Sequence, residues 1–472
     1  MEYKYKFLVR NIGILSISNF ASKVLIFILV PLYTSVLSTE EYGKYDLIRT
    51  TVSIILPVLS ANIGEAVMRF LLNHKKDRKG VITVGIAHVL ICIFIGFVFT
   101  LVNLYFNLIK VLKGLEWLVF CYFFVLILES FLGQVAKGME KVKEIGIAGG
   151  ISTVCILLFN LLFLLKFKWG LKGFFGAYIL AFSLTSIYYF LVLKIWKYFR
   201  LDCVRSDTSK EMLKYSMPLV INAIGWTLNS SLDKYTVTFF CGASATGLIA
   251  VAYKIPNILD VIKTIFIQAW QISAINEYET RDSKGFYSQM YWFINTGLSL
   301  CCAGLIIVTR VMAKILFQNN FYEAWQYVPL LLFSVVINSM AGFLGPILSA
   351  QYNSKSMAKS AIGGIITNIV CNIIFVQRWQ IQGAVLATVI SSLVIYIIRI
   401  MAVAELVEKR VKYPAYATWI ILLCIAVVEI NYQKTGIELF LAVIVIIVNK
   451  KIICKVLENV IVIIKKYALY RR

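Results

Sequence analysis

Residues 421–430, ILLCIAVVEI, and 441–448, LAVIVIIV, carry a single charged side chain between them, Glu429. A helix through either stretch is apolar on every side. Neither can lie on the surface of a water-soluble fold, where an apolar stripe alternates with a polar face. The same texture extends through the chain. Of 472 residues, 60% are hydrophobic and only 15% charged, and mean hydropathy is +0.82, against roughly 25% charged residues in a typical soluble domain. The composition excludes a soluble enzyme or binding domain and predicts an all-α membrane protein.

A hydrocarbon core of about 30 Å takes about 20 helical residues. Cutting the chain at charge clusters and turn residues predicts about fourteen transmembrane helices, near 12–36, 47–68, 83–105, 116–136, 145–165, 173–193, 216–239, 247–273, 287–309, 326–350, 361–376, 383–404, 414–430 and 436–449. The first stretch holds Lys23 and Pro31 and lacks a small-residue cleavage site, so it reads as a span rather than a removed leader. With the N-terminus inside, the inner loops and tail collect about 31 Lys and Arg residues against about 11 in the outer loops, among them Arg49 and Arg310. That bias predicts cytoplasmic N- and C-termini.

The longest inner loop, from Lys194 to Lys214, divides the chain into an N-terminal half (1–200, spans one to six) and a C-terminal half (201–405, spans seven to twelve). An even number of spans before the divide makes any repeat parallel. Spans thirteen and fourteen (406–449) follow, then a basic amphipathic tail (450–472) expected on the cytoplasmic leaflet. The net charge of +23 would point a soluble protein toward nucleic acid; here it reads as loop charge meeting anionic membrane lipids, with no nucleic-acid partner. Ten scattered cysteines form no CxxC pair and only His74 and His88 represent histidine, so neither a metal site nor a Ser-His-Asp array is expected.

Ionisable groups at membrane depth are costly and face a cavity or a partner. Ser16, Asn19 and Lys23 share one face of span one, and Asn222, Trp226, Asn229 and Asp233 form a continuous stripe on span seven. Such a stripe lines a wet cavity or joins helices. Asn and Trp suit a sugar in the first case. In span eight, Lys254, Asp260 and Lys263 surround Pro256. Asp260 and Lys263 are i, i+3 neighbours that neutralise each other or serve a ligand. Asp233 and Lys254 are close enough in depth to pair, Glu65 and Arg69 are spaced for a local ion pair, and Glu129 has no local partner. Arg399 reads as a snorkelling residue.

Several runs resemble polysaccharide transporter proteins of the O-antigen flippase type. They are SNFASKVLIFILVPLYTSVLSTEEYGKYDL (18–47), PVLSANIGEAVMRF (57–70), KYSMPLVINAIGWTLNSSLDKYTVTFF (214–240), GLIAVAYKIPNIL (247–259) and FYEAWQYVPLLL (321–332). The resemblance covers essentially the whole chain and implies the multidrug/oligosaccharidyl-lipid/polysaccharide exporter superfamily. It further implies two six-helix halves in parallel repeat around a central cavity, with two added helices. The expected activity is alternating-access transfer of undecaprenyl-pyrophosphate-linked oligosaccharide across the bacterial cytoplasmic membrane, without bond chemistry, beside other polysaccharide assembly proteins. Lys23, Lys234, Lys254 and Lys263 are the expected pyrophosphate cations, and Asn19, Asn222, Trp226 and Asn229 the expected glycan contacts. Glu129, Asp233 and Asp260 are candidates for ion coupling or pairing. Relatives often read Asp-Arg-Tyr where this chain has Asp233-Lys234-Tyr235, and lysine keeps the charge without the bidentate fork. No cofactor is expected; proton or sodium coupling are alternatives for the driving force. The rivals are a multidrug cation antiporter, against which the lysines argue, a lipid II flippase of the same superfamily, and a membrane polymerase, against which the short outer loops argue.

Overall fold

The computed structural model describes residues 27–72, 77–198, 206–276, 285–404, 406–407, 409–454 and 458. Among them the regular structure is helical throughout and no strand occurs. The all-α membrane architecture expected from the apolar runs is what the chain adopts. Packing divides it into two compact units, Met1–Ser231 and Leu232–Arg472. The division falls inside a helix, later than the loop expected to separate the halves.

The first unit contains α1 (Val30–Val36), α2 (Thr39–Leu59), α3 (Ile63–Leu72), α4 (Arg78–Phe106), α5 (Glu116–Gly138), α6 (Val142–Asn160) and α7 (Gly170–Val192). Ser38 caps α2: its hydroxyl accepts from the Glu41 amide at 3.1 Å while the Glu41 carboxylate accepts from the Ser38 amide at 2.9 Å. This reciprocal pairing is what the run Ser-Thr-Glu-Glu encodes. Asp77 caps α4 through the amides of Lys79 and Gly80. The expected second span, 47–68, is broken: α2 and α3 meet at 56°. Pro57 precedes the break, and Ala61 and Asn62 take left-handed backbone at φ 47° and 49°, a conformation that ends a right-handed helix. The core joins Tyr33 of α1, Tyr42 and Tyr45 of α2, and Phe174, Phe175 and Tyr178 of α7 in ring contacts. Arg49, counted above as an outer-loop charge, instead lies within α2 beside Tyr45, Tyr122 and Tyr178.

Helix α8 (Ser206–Ala252), broken at Gly242 (φ 86°, ψ 177°), crosses the boundary between units. The second unit continues with α9 (Pro256–Asn276), α10 (Phe286–Ile307), α11 (Thr309–Leu316), α12 (Val328–Ala350), α13 (Ser354–Ala402), α14 (Lys409–Asn431) and α15 (Thr435–Val448). α12 is its centre. In the span that contains it, 83% of the most apolar window is buried, against 28–50% in the other spanning helices. It packs on α9, α10, α13 and α14, which explains its sequence, free of ionisable residues from Val328 to Ala350. α13 is two spans in one continuous run, turned at Gln380 (φ 49°, ψ −129°). Gly383 permits the turn, because a Cβ there would meet the backbone of Phe375.

Nine described helices are long and apolar enough to cross a membrane, or ten with the bent pair α2–α3. The expected count was higher for local reasons. α13 holds two expected spans, α15 has 14 residues, and most of the first expected span lies outside the described residues. The chain is a multi-pass membrane protein.

Candidate functional site

The most connected polar group at membrane depth is Asp233, on α8 just inside the second unit. Its residue is 5% exposed. It accepts from Tyr253 Oη at 2.6 Å, Thr388 Oγ1 at 2.5 Å, Asn372 Nδ2 at 2.9 Å and Asn368 Nδ2 at 3.4 Å. One carboxylate thereby gathers α8, the turn after it, and both arms of α13. All four of these donors are neutral, and they disperse the charge over hydrogen bonds. Asn372 is held further by the carbonyl and side chain of Asn368, and Asn368 donates also to Ser391 Oγ at 3.4 Å. The Asn372 side-chain oxygen is buried with no donor among the described residues. The acceptors of the hub are oxygens and carry one formal negative charge.

Asp233 was expected either to couple ions or to pair with Lys254. The hub takes Tyr253, the residue before Lys254, from the non-helical turn at 253–255. Lys234 and Lys254 are half-buried. Lys263 forms the anticipated local ion pair with Asp260 and donates to Asn338 Oδ1 of α12 at 3.4 Å. Lys23 and Asn19 lie outside the described residues, as do the side chains of Asn222, Trp226 and Asn229 within α8.

Two further pairings differ from the local reading. Glu65 accepts from Gln134 of α5 at 2.7 Å rather than pairing with Arg69, which is exposed. Arg399 does not snorkel: its Nε donates to Ser360 Oγ at 3.0 Å and its Nη1 to the Ala341 carbonyl at 2.8 Å. Helix α12 lies beside it and presents the Ala341 carbonyl, so the guanidinium has partners without reaching for an interface. Glu129 is half-buried on α5 and faces Tyr189 of α7.

Asn368, Asn372 and Thr388 were missed. The signal available was the i, i+4 spacing of two amides in an otherwise apolar span, which places both on one face.

Residues 8–271, more than half of the chain, match the model of a family described as polysaccharide biosynthesis protein. The chain is 22% identical to a probable low-salt glycan biosynthesis flippase of Haloferax volcanii over 213 residues, spanning 43% of this chain and 44% of that protein. Among solved structures it resembles the lipid II flippase MurJ in an inward-closed conformation, with TM-score 0.68 at 13% identity over 94% of this chain and 99% of that one. It also resembles an inward-facing multidrug resistance MATE transporter of the MOP superfamily, with TM-score 0.63 at 14% identity over 84% and 95% of the two chains. At these identities the structural likenesses are likenesses of fold. The family match includes the first-span, second-span and seventh-span runs that resemble polysaccharide transporters, and by it the chain belongs to the polysaccharide biosynthesis protein family.

Proposed function

We propose that this protein is a flippase that moves undecaprenyl-pyrophosphate-linked oligosaccharide units across the cytoplasmic membrane for surface polysaccharide assembly. It works by alternating access and makes or breaks no covalent bond. The observation that carries the reading is the family match over residues 8–271, which holds the runs around Lys23, Lys234 and Lys254. Half-buried lysines at membrane depth suit an anionic headgroup and oppose a cationic drug, because desolvated like charges repel. In this reading Lys23, Lys234, Lys254 and Lys263 attract the pyrophosphate, with Lys263 turning from Asp260 to do so. Asn19, Asn222, Trp226 and Asn229 meet glycan.

The Asp233 hub supplies coupling. Filling it with a proton or sodium ion neutralises the carboxylate, and emptying it restores a charge that both arms of α13 must accommodate. Its acceptor set supports that role, as does the unpartnered oxygen of Asn372. Proton or sodium, anionic lipids at the basic loops, and neighbouring assembly proteins are the partners this reading requires; both termini are cytoplasmic.

The test uses proteoliposomes carrying a pyrophosphate-linked oligosaccharide on a polyprenyl anchor, with a membrane-impermeant glycosidase outside. Cleavage of more than half of the glycan, against the outer-leaflet half in protein-free vesicles, is expected. Cleavage that stops at the outer-leaflet pool, together with proton-driven uptake of a cationic dye, refutes the flippase and establishes the antiporter.

A further inference from the structure

Two acids meet one base where α11, α14 and α15 come together, on helices that take no part in the Asp233 hub. Arg310 of α11 donates from Nε to Glu429 Oε1 at 2.9 Å. Its Nη2 reaches the Gln433 carbonyl at 3.2 Å and Thr435 Oγ1 at 3.3 Å. Glu429 lies near the end of α14 and Glu438 in the first turn of α15; both residues are 0% exposed. Their carboxyl groups lie beside each other in this buried corner. Yet Glu429 Oε2 and both oxygens of Glu438 have no donor among the described residues.

The charge count does not close with both acids ionised. Arg310 balances one carboxylate. Lys314 and Lys434 are exposed, and Tyr322 stands against Arg310. Of the helices packed on α14 and α15, α12 has no ionisable residue and the outer half of α10 brings only the thiols of Cys301 and Cys302. The N-terminus of α15 contributes a partial charge alone. A second buried anion beside the first is therefore uncompensated, and two carboxylates in one dry site do not both stay ionised. An ionised carboxylate also cannot donate, whereas a protonated one can. A single shared proton satisfies the geometry and the charge together.

We propose that Glu429 and Glu438 form a proton-binding site: Glu438 donates to Glu429 Oε2 while Arg310 holds Glu429 Oε1. The bound proton fastens α15 to α14. Its release leaves two buried anions against one guanidinium and loosens the start of α15. The site adds a proton-sensitive joint in the last helix pair, independent of what the protein transports.

The test uses the purified full chain in lipid nanodiscs. Infrared spectra of the wild type contain a protonated-carboxyl C=O band that Glu438→Gln lacks. Amide protection in the first turns of α15, the exchange rate divided into the intrinsic base-catalysed rate at each pH, is high while the band persists and falls about tenfold or more as rising pH removes it. Protection in Glu438→Gln, whose amide can donate permanently to Glu429, stays high across that range. An infrared difference of zero between wild type and variant overturns the proposal. So does α15 exchange in the wild type that follows sodium concentration rather than pH, which assigns the site to sodium instead. Because the pH response is read in the wild type, poor folding of the variant does not remove the test.

Discussion

Replacing Asp233 separates two roles of the hub. In Asp233→Ala, the four donors lose a common acceptor, but they are not equally stranded. Thr388 Oγ1 keeps the Ala384 carbonyl at 3.1 Å, Asn372 keeps the Asn368 carbonyl at 3.0 Å, and Asn368 keeps Ser391 at 3.4 Å. The Tyr253 hydroxyl loses Asp233 at 2.6 Å and keeps only the neighbouring Thr388 hydroxyl. A buried hydroxyl left short of an acceptor costs up to about 1–3 kcal/mol, and each hydrogen bond to a charged group is worth about 1.5–3 kcal/mol. Removing the buried carboxylate returns several kcal/mol of desolvation, so the net loss is about 2–4 kcal/mol. Asp233→Asn keeps the volume and one acceptor oxygen. Its amide opposes other donors, but the Tyr253 hydroxyl can turn to accept, and the cost falls to about 1 kcal/mol. In a domain of this size 1 kcal/mol moves the unfolding midpoint by roughly 2–4 °C. Asp233→Ala then unfolds about 4–16 °C below the wild type and Asp233→Asn within about 4 °C of it. Tryptophan fluorescence on heating the purified proteins in one detergent reads both. Transport is lost in both variants, since neither residue takes up an ion as a carboxylate does. An alanine variant as stable as the wild type refutes the structural part of this reasoning. An asparagine variant that transports normally refutes the coupling part.

Gly85→Ala places a Cβ 2.6 Å from Val67 Cγ2 and 2.8 Å from Phe131 Cε2, where α3, α4 and α5 meet. Overpacking of this kind costs about 1–3 kcal/mol, and a lowered unfolding midpoint with reduced monodisperse yield is expected. Arg399→Lys replaces the planar fork, whose Nε and Nη1 meet Ser360 and Ala341 separately, with a single nitrogen. It loses about 1–2 kcal/mol, and an unfolding midpoint equal to that of the wild type contradicts the pinned guanidinium.

Local features were legible where both partners lie within one helical turn or one cap. Asp260 and Lys263 pair as their i, i+3 spacing indicates, and Ser38–Glu41 closes the capping box. Glu65 shows the limit. Arg69 has the right spacing, yet Gln134, far along the chain, approaches from α5 and takes the carboxylate. Asp233 stood out as an acid in an apolar span, but Asn368, Asn372 and Thr388 reach it from α13. Glu429 and Arg310 belonged to a span end and an outer loop in the sequence reading, and only packing made them an ion pair.

The amino-acid sequence by itself determined that this chain is a helical membrane protein. In lipid a backbone has no water to bond with, so long apolar runs must satisfy their amides internally, and a helix does so from local residues alone. It also marked which helices carry charge. Only the tertiary structure decided what that charge does, because a buried acid binds whichever donors packing brings within about 3 Å, and those donors come from helices distant in the chain.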